Sequence, residues 1–275
     1  MQSQVLTTGY PEERAGYFQV SGAHLYTVLH EVQEPVARVL LVGPFASERH
    51  NSYLPWMRWA RFLAAERIEV LRYDYRGIGE STGRFEQITI EDWSEDVRLL
   101  SAWFALRSPH VPLLLHGLGM GAVLAGRIFD EGVGDGLLLW SPPANANQAL
   151  RATLMRWVGL EQILKFGADQ RSASDYIREL EQGSVLEVDG YNWSPALWRE
   201  SFQYSLPAGL LTQESADRAY KRPARIVKLT REAAPLTKGG IVGYDDLKDF
   251  SWLFAPNREW IASMSSSWSE GVAYV

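Results

Sequence analysis

The sequence predicts a doubly wound, mostly parallel α/β sheet, interrupted late in the chain by a helical insertion. Three observations carry that prediction. Apolar runs of strand length recur at Val36–Val42, Ile68–Tyr73, Pro112–Leu115 and Gly136–Trp140, as expected of strands buried on both faces. Stretches with helical periodicity separate them, so that strand and helix alternate. The alternation breaks near Ala144, where the chain turns helical and polar.

Taken in order, Tyr17–Val20 and His24–Val32 alternate around Ser21-Gly22 and predict an antiparallel hairpin. Val36–Val42 is the first central strand and ends at Gly43-Pro44. A polar loop, PFASERHNS, is expected to lead into a helix from Tyr53 to Ala65, with Trp56, Ala60 and Leu63 as its apolar stripe. Ile68–Tyr73 follows and closes on Asp74–Ser81. Thr89-x-x-Asp92 opens the next helix as a capping box, and Trp93, Val97, Leu100 and Phe104 define its buried face.

Pro112–Gly126, PLLLHGLGMGAVLAG, reads as strand, tight turn and helix, because Met120, Val123, Leu124, Arg127 and Ile128 fall at helical spacing. Gly136–Trp140 is a further strand ending at Ser141-Pro142-Pro143. The expected organisation is a core of residues 1–143 and 208–275, with residues 144–207 inserted after the sixth strand. Such an insertion would lie as a cap over the carboxyl ends of the strands, where open α/β sheets bind ligands. It holds a short β-like stretch near Val185–Tyr191. Pro223–Thr230 returns to the sheet, Phe250–Phe254 reads as a final strand and Asn257–Met264 as a closing helix, with Ser265–Ser269 as a tail.

Composition narrows the function classes. At 275 residues with 46% hydrophobic and 22% charged residues, the chain is an ordinary globular protein able to bury a large core. A net charge of −6 and a pI near 5.5 give no footprint for nucleic acid. Without cysteine there are no disulfides, thiolate metal sites or catalytic thiols. The opening MQSQVLTTGYPEERAG has no basic region followed by an apolar core, and no run is long enough to span a bilayer, so a cytoplasmic location is expected.

Three segments together resemble the α/β-hydrolase superfamily: D-x-R-G-x-G-x-S at Asp74–Ser81, the glycine-rich turn GLGMG, and Ser-Pro-Pro after the sixth strand. The strings GPFASERHNS, GLGMGA and VDGYNWSPAL more narrowly resemble its exosortase-associated "hydrolase 2" branch, in which the serine motif is similarly eroded. The resemblance implies a fold of the α/β-hydrolase type and a nucleophile elbow, G-x-S-x-G, followed in the chain by an acid and then a histidine. Here the elbow's centre is Gly119. The five histidines are His24, His30, His50, His110 and His116, and none follows the elbow. Glu232 lies near the acid's usual place, with no histidine there to orient. A single engineered loss of the serine would have left that histidine behind.

What the resemblance leaves is a binding site. The amides of Phe45 and Met120 correspond to the two oxyanion-hole donors, reinforced by the helix that starts near Met120. His50 is a candidate ligand contact or displaced base, and Ser141 a candidate hydroxyl. Ser47, Ser52 and Ser81 have simpler uses in turns and caps. His116, at the end of its strand, reads as a packing residue. Trp157, Trp193, Leu197 and Trp198 are expected to wall a pocket for an acyl or aryl group. Glu48 with His50 is too sparse for a metal site, and no cofactor is expected. G-x-G-x-x-A at Gly117–Ala122 also fits a dinucleotide turn, but the next strand ends Leu139-Trp140-Ser141 without the ribose-binding acid. The sequence therefore reads as a hydrolase-fold protein that binds a small acyl, ester or carboxylate ligand, or a protein partner, without the usual triad. An esterase or thioesterase using residues such as His50 or Glu232 is the alternative. A nucleotide-binding enzyme is the second.

Overall fold

The computed structural model describes residues 6–7, 13–164, 171–229 and 247–271. One sheet organises them. β2 (Glu13–Val20) and β3 (Ala23–His30) form the expected hairpin around Ser21-Gly22, and β1 (Leu6–Thr7) pairs antiparallel with β2. The parallel strands are β4 (Ala37–Val42), β5 (Ile68–Tyr73), β6 (Leu113–Leu118), β7 (Gly136–Trp140) and β10 (Ala224–Val227). Their order across the sheet is β1-β2-β3-β5-β4-β6-β7-β10, with β3 joined to β5 antiparallel. The chain reverses direction across the sheet between β4 and its two neighbours, β5 and β6. In a doubly wound sheet that switch point is where a site forms.

Alternate side chains of the central strands feed two cores. Leu40, Val42, Leu71, Leu115 and Leu139 face one side, beneath α2 (Ile90–Leu106) and α3 (Met120–Asp130). Val39, Leu41, Val70, Leu114 and Leu138 face the other, beneath α1 (Ala46–Ala65) and α8 (Phe254–Gly271). Each such side chain, once fully buried, contributes about 1.5–3 kcal/mol of transfer free energy. The Thr89 hydroxyl accepts from the Asp92 amide at 3.1 Å while the Asp92 carboxylate accepts from the Thr89 amide at 2.9 Å, so the capping box forms as read.

Two elements depart from the sequence reading. The stretch PFASERHNS is not a loop: α1 begins at Ala46, seven residues before Tyr53. Its polar side chains satisfy the helix's own carbonyls instead of competing with it. Asn51 donates to the Ser47 carbonyl at 2.8 Å and Ser52 to that of Glu48 at 2.7 Å. Nor is Phe250–Phe254 a strand. Ser251–Leu253 is a 3₁₀ turn running into α8, which also takes in Ser265–Ser269. Phe250 and Phe254 pack as aromatic wedges against Trp140 and Trp59, and this burial accounts for their apolar character without a ladder. Thr230 and Glu232 lie outside the described residues.

Between β7 and β10 run α4 (Ala146–Leu164), α5 (Ala173–Glu181), a hairpin of β8 (Leu186–Val188) and β9 (Tyr191–Trp193), α6 (Pro195–Glu200) and α7 (Gln213–Ala219). The hairpin turns on Asp189-Gly190, both with positive φ, 55° and 79°. That is the pairing a two-residue turn with right-handed strand twist requires.

Candidate functional site

The site is built where β6 turns into α3. Gly119 stands between them with φ 57° and ψ −124°, a backbone conformation open to glycine and strained for any other residue. Gly121, two residues later, is constrained by space, because a side chain there would run into the Val42 and Gly43 carbonyls. The strand–turn–helix is thus drawn tight against the end of β4. That closeness brings the first turn of α1 beside the elbow.

Glu48 occupies the place an elbow side chain would take. A Cβ built on Gly119 would collide with Glu48 Oε2 and stand 3.5 Å from the Glu48 carboxyl carbon. Arg156, from α4, donates to Glu48 Oε1 at 3.0 Å and to the Ser47 hydroxyl at 3.3 Å. Burial raises the Glu48 carboxyl above its ordinary range, and the Arg156 guanidinium pulls the other way. Asp189, at the hairpin turn, is hydrogen-bonded by Ser47 and faces His50 and Arg156, and burial likewise raises its carboxyl. Its Oδ2 is buried with no hydrogen-bond partner.

Phe45 and Met120 belong to the two turns that meet here, Phe45 three residues before Glu48 and Met120 next to Gly119. Phe45 is the N-cap residue of α1 and Met120 the first residue of α3, both buried. Neither amide has a protein acceptor among the described residues, as first-turn positions leave their N–H groups outside the helical ladder. The Phe45 ring sits among Phe85, Trp93, Tyr191 and Trp193 at centroid distances of 5.6–6.0 Å.

The structure brings together some of the sequence-predicted residues and disperses others. Phe45, Gly119, Met120 and Trp193 converge. His50 lies on the exposed side of α1, with its ring 6.4 Å from that of Tyr191, and makes no hydrogen bond with a serine. Ser141 is tied up elsewhere: its hydroxyl accepts from the Leu229 amide at 2.8 Å. Trp198 is buried against Phe202 and under the Arg151 guanidinium, not against Phe45. Trp157 donates to the Tyr176 hydroxyl at 3.3 Å, and Leu197 is buried. Ser52 and Ser81 bond to local carbonyls. His116 packs among Trp56, Trp59 and Trp140, its Nδ1 donating to the Leu138 carbonyl at 2.9 Å. Among the described residues no serine hydroxyl is hydrogen-bonded to an imidazole, and no cluster suited to a metal ion occurs.

The Asp74–Ser81 motif is structural here. Arg76 forms a buried pair with Asp96 and reaches Asp92 at 3.0 Å, while Arg49 from α1 donates to Asp74 at 2.6 Å. Sequence reasoning missed Arg156 and Asp189 and set Glu48 aside. Arg156 lies 108 residues from its carboxylate, a separation no local pattern spans. The one available signal was Asp-Gly, a two-residue hairpin turn that places its acid at a tip.

This sheet order with an elbow after β6 defines the α/β-hydrolase class, and comparisons agree. The chain belongs to the family described as serine aminopeptidase S33, whose model matches residues 33–178, more than half of its length. Comparison with curated protein sequences finds no match. Among solved structures, a soluble variant of monoglyceride lipase from Saccharomyces cerevisiae aligns with a TM-score of 0.56 at 13% identity, covering 93% of this chain and 96% of that one. The mouse α/β hydrolase domain-containing protein 10 aligns with a TM-score of 0.55 at 14% identity, over 91% and 99%. An α/β serine hydrolase from Xanthomonas campestris aligns at 23% identity with a TM-score of 0.42, over 50% of this chain and only 65% of that one. The first two likenesses establish the fold. No described helix is long and apolar enough to cross a membrane.

Proposed function

We propose that this chain binds a small acyl, ester or carboxylate ligand through the Phe45 and Met120 amides and does not use Ser–His–acid catalysis. The observation that carries the reading is the pair of free amides beside a glycine elbow, with α3 directing its positive end at the same point. The histidine count supports it, since an elbow serine would have no downstream base. The motif strings ally the chain with the exosortase-associated branch of hydrolases, and its acidic charge and lack of an apolar span favour a cytoplasmic protein without nucleic-acid partners. A fluorophosphonate probe, which phosphonylates activated serine hydroxyls, is expected to leave the chain unlabelled. Covalent labelling at any serine would end this reading.

Residues 144–207 act in this proposal as a cap over the ligand. Tyr191 and Trp193 from β9 close on Phe45, and Arg156 from α4 pairs with Glu48. Ligand entry then requires this segment to open locally, and segments that open more readily exchange their amides faster. Hydrogen exchange is expected to be faster over α4 and α5 than in β4 or β6. Equal protection throughout would make the segment part of the core.

A further inference from the structure

The Glu48 carboxylate is neither a surface charge nor a ligand to anything recognised at this site. It stands where the fold places its attacking group, and the hydrogen bonds it receives fall on Oε1, leaving Oε2 toward Gly119. Arg156 fixes the carboxylate from the far side. The Phe45 and Met120 amides belong to the two turns that meet at Glu48 and Gly119, and serve here as donors for a carbonyl oxygen that gains negative charge. A carboxylate, an adjacent oxyanion site and a fixing cation are the parts required for hydrolysis assisted by a general base. None of them requires a serine or a histidine.

We propose that Glu48 is the catalytic base of a slow esterase activity toward small acyl esters, with Arg156 as its positioning residue. This rests on the binding reading above, because the ester carbonyl must first dock on the Phe45 and Met120 amides. Glu48 Oε2 takes a proton from a water molecule as that water's oxygen bonds to the acyl carbon. The carbonyl π electrons move onto the oxygen held by the two amides. The tetrahedral species then collapses, the bond to the alcohol oxygen breaks, and the proton held by Glu48 passes to the departing alcohol. One ester and one water give one acid and one alcohol, and Glu48 returns to its carboxylate form.

The charged groups around Glu48 decide its pH dependence. Arg156 pairs with it directly from α4. Asp189 faces Arg156 from the hairpin, His50 faces Asp189 from α1, and the Arg49–Asp74 pair links α1 to the end of β5. Burial raises the Glu48 carboxyl, which brings its titration toward neutral pH, and Arg156 limits the rise. The rate should therefore climb as pH increases through the Glu48 titration and then level off. Arg156→Gln should move that inflection to higher pH. An inflection left in place by Arg156→Gln would show that the titrating group is not the Glu48 carboxyl that Arg156 holds.

The test uses the full chain with p-nitrophenyl butyrate as substrate and butyrophenone as a carbonyl probe that cannot be hydrolysed. The parent should exceed the buffer blank, and Glu48→Gln should fall by about 100-fold or more, the range of a lost general base. Glu48→Gln should still show a thermal shift with butyrophenone, while Glu48→Asp should recover part of the rate. If Glu48→Gln does not fold, the pH profile of the parent and its displacement in Arg156→Gln decide the matter. A parent rate equal to the blank, or equal rates for parent and Glu48→Gln, overturns the proposal. A butyrophenone shift without turnover overturns it and leaves the binding reading standing, whereas no shift and no turnover removes both.

Discussion

Gly119→Ser is expected to hydrolyse activated aryl esters no faster than the parent and to be less stable by about 1–3 kcal/mol. The stability loss has two sources. Residue 119 holds a φ of 57°, which any side chain strains, and the new Cβ collides with Glu48 Oε2. Moving Glu48 aside costs its bond to Arg156, so a buried guanidinium loses its carboxylate partner on α1. The hydroxyl gains nothing in exchange, because serine attacks poorly unless a base accepts its proton, and a displaced Glu48 is no longer held where it could accept one. His50, three residues beyond Ser47 on α1, is the only histidine facing this cluster, through Asp189. Ester turnover by Gly119→Ser, abolished by adding His50→Ala, would identify a displaced base and refute the expectation. Urea denaturation of parent and variant, with p-nitrophenyl butyrate assays on both, makes the measurement.

Acid should destabilise the fold through two buried histidines. His30 lies at the end of β3, accepting from Arg72 Nε at 3.2 Å with its Nδ1 3.6 Å from Glu13. Burial, helped by Arg72 and opposed by Glu13, holds its pKa down at about 4. Burial among tryptophans holds His116 down at about 3 against the Leu138 carbonyl. Both are therefore neutral in the fold while an unfolded histidine protonates near pH 6.5. The unfolded state binds more protons throughout that interval, so stability present above pH 6.5 is lost as pH falls toward 4. Two protons acting together should remove about 3 kcal/mol between pH 6.5 and pH 5. His30→Gln should roughly halve the dependence in urea titrations across this range. A parent whose stability is flat between these pH values would show that neither imidazole is held neutral.

The parts of the fold that could be read in advance are those whose information is local. Val36–Val42 and Ile68–Tyr73 announce buried strands by unbroken apolarity, and Thr89-x-x-Asp92 announces a helix start by reciprocal hydrogen bonds between neighbours. The first turns of α1 could not be read. Ser47, Glu48, Arg49, His50, Asn51 and Ser52 have the composition of a loop, and only tertiary burial of Ala46, Ser47 and Glu48 makes them a helix. The aromatic run at Phe250–Phe254 misled for the opposite reason, since its apolarity serves packing on Trp59 and Trp140 and not strand pairing. At the site, Phe45, Gly119 and Met120 were legible because a strand–turn–helix motif fixes them. Arg156 was not, because its role exists only once α4 folds back onto α1.

The contact between Glu48 and the elbow also makes two positions in the chain interdependent. With glutamate at 48 in this position, a side chain at 119 meets Glu48 Oε2 and one of the two must shift. With a shorter residue at 48, that room returns, and Arg156 keeps its bond to Ser47 while its pairing with residue 48 is lost or lengthened. Substitutions at 48, 119 and 156 are therefore non-additive: the cost of serine at 119 depends on the residue at 48, and the cost of shortening 48 depends on the charge at 156. Each residue at the elbow is conditional on the others, so the effect of one replacement there is set by the side chains at the other two.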